Sequence, residues 1–125
     1  MNNLIAFTIT FLFGLLYFRA LFLIIPKYFD KPFTRTKSKL QVHHLHFGIV
    51  FVLIATYLLL ALGEHLSVYI FLGLGLGQIF DLFIASLLMK GDRPEEMRLY
   101  KKTFPHTLIL GLVILVIALV IRVAF

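Results

Sequence analysis

An all-α integral membrane protein is what this sequence predicts: an antiparallel four-transmembrane-helix bundle, with a short interfacial amphipathic helix between spans three and four. Three observations carry that expectation. Of 125 residues, 61% are hydrophobic and only 14% charged, against about 45–50% and about 25% in soluble domains. A chain this short could bury only part of such a surface in water. The apolar residues also gather into four stretches of about 20, the length that crosses hydrocarbon as a helix. Finally, nearly all Lys and Arg fall in two of the three connecting loops.

The first span is expected over 4–25 and is stopped by Pro26, which cannot continue a helix. Met1-Asn2-Asn3 lacks a basic n-region, and the apolar run behind it is too long for an h-region. No small-x-small cleavage pattern follows, so the segment reads as a true span. The second covers 40–62, with Ser38 and Gln41 in capping-box spacing at its start; that pattern satisfies orphan amides. Gly63-Glu64-His65 turns tightly into the third span, 66–89, with Gly91 as its expected C-cap.

Asp92 and Glu95 repeat the capping pattern. Behind them Met97, Tyr100 and Phe104 recur at helical spacing among Arg98, Lys101 and Lys102. This predicts the amphipathic helix, lying at the bilayer surface. The fourth span runs over 105–125, opened by Pro105, a favoured first-turn residue. The whole chain, 1–125, is one transmembrane domain.

Lys27, Lys31, Arg35, Lys37 and Lys39 crowd the first loop, and Lys90, Arg93, Arg98, Lys101 and Lys102 the third. The turn between spans two and three has none. The positive-inside rule then puts loops one and three in the cytoplasm and both termini on the non-cytoplasmic side. Arg122, near the outer end, dissents but can snorkel to the surface. The net charge of +6 is thus a matter of topology and no sign of nucleic acid. The expected partners are the lipid bilayer and anionic lipids at the basic loops, worth about 1 kcal/mol per Lys or Arg. The absence of cysteine excludes thiol–disulfide exchange and thiolate metal sites.

The polar residues inside the spans share one half of the bilayer. Arg19 lies about 12 Å in from Lys27, and Asp81 about 13 Å in from Lys90. His46 is about 10 Å beyond Lys39, and His106 about 6 Å beyond Lys102. His43 and His46, three apart, share a helix face, while His44 points about 100° away. Gln78 and Asp81 are also three apart, and Gly73, Gly77 and Asp81 follow at four-residue steps. Such glycines let helices approach closely, so Asp81 is expected to face the bundle and pair with Arg19.

Ionisable groups in hydrocarbon are expensive and point to function. The leading expectation is a site near the cytoplasmic face in which His43, His46 and Asp81 hold a divalent transition metal, zinc or iron. His106 would complete or flank the ion, with Gln78 supporting the ligands and Arg19 neutralising an anionic headgroup or orienting Asp81. The substrate would be a lipid or another membrane-soluble molecule. Haem held by His46 and His106 is the weaker fit.

Two other classes use the same residues. A proton-coupled transporter or channel component would use them as a relay, although Thr8, Thr10, Thr56, Tyr57, Tyr69 and Glu64 alone continue a path through the outer half. A non-catalytic structural membrane subunit would use them to lock helices together. A homo-oligomer would bury more of the glycine face.

Gly73-Leu74-Gly75-Leu76-Gly77 lacks dinucleotide-loop spacing and lies inside an apolar span. No zinc-protease, serine-hydrolase or P-loop pattern is present. His43-His44-Leu45-His46 resembles one histidine box of the membrane di-iron oxygenases. Those carry several boxes and this chain carries one, so the resemblance assigns no family.

Overall fold

The computed structural model describes residues 2–24, 44–88 and 93–125. All of the regular structure in them is helical: α1 (Asn2–Ile24), α2 (His44–Leu62), α3 (Leu66–Leu88), α4 (Arg93–Lys102) and α5 (Phe104–Ala124). Four of these, α1, α2, α3 and α5, are long and apolar enough to cross a membrane. At 1.5 Å per residue the 19 residues of α2 reach about 28 Å and the 23 of α3 about 34 Å. The hydrocarbon core is about 30 Å thick. The expected start of span two at 40–43, its capping box and Gly91 all lie outside the described residues.

The turn between α2 and α3 forms where expected. Gly63 adopts φ +69°, a left-handed conformation that costs a residue with a Cβ about 1–2 kcal/mol. Its amide donates to the Leu59 carbonyl at 2.9 Å and so closes α2.

The third span is the hub. Gly73 and Gly77 are buried against α1: a Cβ on Gly73 would strike the Thr10 side chain and the Phe7 carbonyl, and one on Gly77 the Phe11 carbonyl. Gly75, two residues round, faces the other way. There the backbones of α3 and α2 come close enough that a Cβ on Gly75 would lie 2.7 Å from the Gly48 carbonyl oxygen. The alternation in Gly-Leu-Gly-Leu-Gly therefore lets α3 take a close neighbour on each side.

The pairs also give the register. Phe7, Phe11 and Arg19 of α1 meet Gly73, Gly77 and Asp81 of α3 in ascending order. Against α2 the order reverses, with the Phe51 ring tilted against that of Phe71 and Gly48 meeting Gly75 and Ile79.

Phe7, Phe11 and Leu15 form the main buried core, packed by Leu72, Leu76 and Phe80 from α3 and by Ile114, Leu115 and Ala118 from α5. A smaller core at the other end joins Leu82 and Ala85 of α3 to Tyr100 of α4, with Leu45 of α2 packed against it. Most remaining large apolar side chains face outward, among them Ile9, Leu53, Leu60, Leu112 and Val123. Contiguous apolar exposure of this kind is untenable in water.

Between α4 and α5 the helical bonding nearly continues: the Thr103 amide donates to Leu99 O and the Thr107 amide to Thr103 O, both at 2.9 Å. Pro105 has no amide to give the Lys101 carbonyl, which is why the helix is interrupted there. α4 thus leads into α5 through Thr103 alone.

Candidate functional site: a buried Arg–Asp–Tyr network

Arg19 lies on the last turns of α1, one helical turn beyond the buried Leu15 and on the same face. That periodicity drives it inward, where it is 5% exposed, while Asp81 on α3 is fully buried. Arg19 Nε donates to Asp81 Oδ1 at 2.6 Å. One terminal nitrogen donates to the backbone carbonyl of Tyr100 on α4. The other donates at 3.1 Å both to the backbone carbonyl of Asp81 and to Thr107 Oγ1 on α5. The guanidinium also lies 3.8 Å from the centroid of the Tyr100 ring and 5.4 Å from that of Phe104, close enough for cation–π attraction.

The second carboxylate oxygen is also engaged, because the Tyr100 hydroxyl donates to Asp81 Oδ2 at 2.6 Å. One ion pair therefore ties four helices together. A lone charge at mid-membrane costs about 2.5–3.5 kcal/mol on the insertion scale. Pairing and hydrogen bonds to every side of the guanidinium offset that cost. Arg19 also places its positive charge on a last-turn carbonyl of α4, where the helix dipole is negative.

Burial, the neighbouring Asp81 charge and the hydrogen bond to it push the Tyr100 phenol well above its ordinary value, with Arg19 pulling the other way. The hydroxyl therefore stays a donor through neutral pH. Because the folded-state value is the raised one, its contribution to stability is complete below the ordinary phenol value of 10.0. It is lost as pH climbs above that value. Tyr100→Phe is expected to cost about 1.5–3 kcal/mol, the range for a hydrogen bond to a charged group. The difference between wild type and variant should shrink above pH 10, measured by thermal unfolding followed by circular dichroism.

The expected pairing of Arg19 with Asp81 is present. His46 and His106 are exposed, His43 lies outside the described residues, and so does the side chain of His44. The reason is angular. Thr107, not His106, takes the inward position on α5, and one residue is 100° of rotation. On α2 the buried Gly48 faces α3, and His46 lies two residues, about 200°, away. Among the described residues no three His, Asp or Glu side chains are grouped to hold a metal. Both oxygens of Asp81 accept hydrogen bonds within the network. The zinc or iron reading and the haem reading therefore gain no support from the described residues.

Gln78 is buried at the junction with α2, where its Cβ approaches Gly48. Its Oε1 has no hydrogen-bond partner among the described residues. Two members of the network, Tyr100 and Thr107, are missing from the polar set read in the sequence. Tyr100 sits in that reading as part of an apolar stripe. Its signal was available, because it is the one residue of Met97, Tyr100 and Phe104 that carries a donor, and such groups are paired when buried. Thr107 has no signal beyond its place next to His106.

Among the described residues these features define a class: a helical protein with four membrane-length apolar helices and a buried polar network between them. Comparison with known proteins yields no match to a family model, a curated protein or a solved structure.

Proposed function

We propose that this is a non-catalytic integral membrane protein, an antiparallel four-span bundle, that holds a basic interfacial helix in fixed register against anionic lipid headgroups. The observation that supports this reading is that both Asp81 oxygens and all three guanidinium nitrogens hydrogen-bond to other parts of the protein. Two of these bonds, through the Tyr100 carbonyl and hydroxyl, fasten α4. This network is built as a clamp.

What the clamp presents is charge. The last five residues of α4 hold Arg98, Lys101 and Lys102 and no acid. All three cations are exposed, while Leu99 and Tyr100 between them are buried. In this reading α4 and the other basic loop lie on the cytoplasmic side, with both termini opposite.

The test uses the full chain in bilayer nanodiscs of phosphatidylcholine and phosphatidylglycerol, with retained lipid identified by native mass spectrometry. Lys101→Gln/Lys102→Gln is expected to weaken phosphatidylglycerol retention by about fivefold per charge, from about 1 kcal/mol each. Tyr100→Phe should weaken it as well, although no charge changes, because α4 loses one of its two ties to the network. Unchanged retention in the double variant overturns the proposal. So does stoichiometric zinc or iron in the purified protein, or a proton flux that Asp81→Asn abolishes.

A further inference from the structure

At the end of the molecule away from α4, a cavity of about 490 Å³ opens among α1, α3, α5 and the turn before α3. That volume falls within the range of small-molecule sites, about 300–1,000 Å³. Its lining has a graded build. Each of three helices puts a polar residue at the rim and an apolar one a turn deeper: Asn3 with Phe7, Tyr69 with Leu72, and Arg122 with Ala118. These pairs are spaced by three or four, so each shares one helix face. The rim also carries an acid, Glu64, from the turn. Among the described residues the ion pair is Arg19–Asp81, so Arg122 and Glu64 border the cavity without being joined to each other.

An apolar floor between one cation and one anion complements an amphiphile with both charges in its head. We infer that this cavity binds one acyl chain and the headgroup of a zwitterionic phospholipid with a primary amine, of the phosphatidylethanolamine type. Arg122 takes the phosphate, for which a guanidinium fork is suited. Glu64 accepts from the ammonium, and Asn3 and Tyr69 add neutral hydrogen-bonding groups. The volume admits a single chain, so the second chain stays in the surrounding bilayer. Arg122, a charge at odds with the loop asymmetry, acquires a role as a headgroup ligand.

The full chain, exchanged into nanodiscs of equal phosphatidylethanolamine, phosphatidylcholine and phosphatidylglycerol, tests this by native mass spectrometry of the lipid retained after activation. One phosphatidylethanolamine per chain is expected. Ala118→Phe, which fills the floor, should cut retention at least tenfold. Arg122→Gln should cut it about fivefold, and Glu64→Gln should abolish the preference over phosphatidylcholine while a phospholipid stays bound. If Ala118→Phe unfolds the chain, Arg122→Gln decides alone, since that residue is exposed and outside both cores. Wild-type retention in Arg122→Gln overturns the inference, as does a retained fatty acid or no selective retention. None of these variants touches Lys101, Lys102 or Tyr100, so failure here is separable from failure of the anionic-lipid reading.

Discussion

Asp81→Leu is expected to destabilise the bundle by about 3–5 kcal/mol, because it strands a buried guanidinium without its counter-ion. Arg19 would keep the carbonyls of Tyr100 and residue 81 and the Thr107 hydroxyl, none of which carries a charge to balance it. Arg19→Leu should be similarly costly from the other side, leaving a fully buried carboxylate with the Tyr100 hydroxyl. The informative case is the double variant. With both charges gone and apolar side chains in their place, most of the loss should return, since a buried pair replaced whole is often close to neutral. Reversible unfolding in mixed micelles, followed by circular dichroism, gives the coupling energy through the double-mutant cycle. A double variant no more stable than either single would show that the two residues act separately.

The second large effect is expected at Gly77. Its missing Cβ is where the Phe11 carbonyl sits, and a methyl group there would also lie 2.8 Å from the Leu15 amide nitrogen. Both obstacles are backbone, so no rotamer change relieves the clash and α1 must move off α3. Gly77→Ala is expected to cost about 3 kcal/mol, at the upper end for overpacking, and to weaken the Arg19–Asp81 pair one turn away. Gly75→Ala is the control. It drives α3 away from α2 at Gly48 while leaving the α1 face intact. Introduced cysteine pairs across each interface would follow the two separations, in a chain with no cysteine of its own. Loss of the α1–α3 crosslink in Gly75→Ala and not in Gly77→Ala would reverse the assignment of the two faces.

Much of the site was legible in the residues themselves. The burial of Asp81 follows from its place four residues beyond Gly77 on a face of small residues, and its pairing with Arg19 from matched depth. The cost of an unpaired charge in hydrocarbon leaves few alternatives. His46 and His106 were legible only in depth. Distance from a loop is linear in residue number, but direction is not. A one-residue difference in which side of α5 packs inward exchanges His106 for Thr107, and an amphipathic reading gives no warning of it in a span that is apolar all round.

Composition and spacing alone determined that this chain has four apolar segments long enough to cross a membrane, and that glycines on the third would draw neighbours close. These are properties of length and hydrophobicity, summed locally along the chain. Tertiary packing decided which polar side chains meet: it turned Tyr100 from one position of a helical stripe into a hydrogen-bond donor to Asp81, left His46 and His106 exposed, and opened a charged-rim cavity at the far end. Those outcomes depend on the rotation of each helix about its own axis, and among nearly uniform apolar faces only close contact between particular side chains can set that angle.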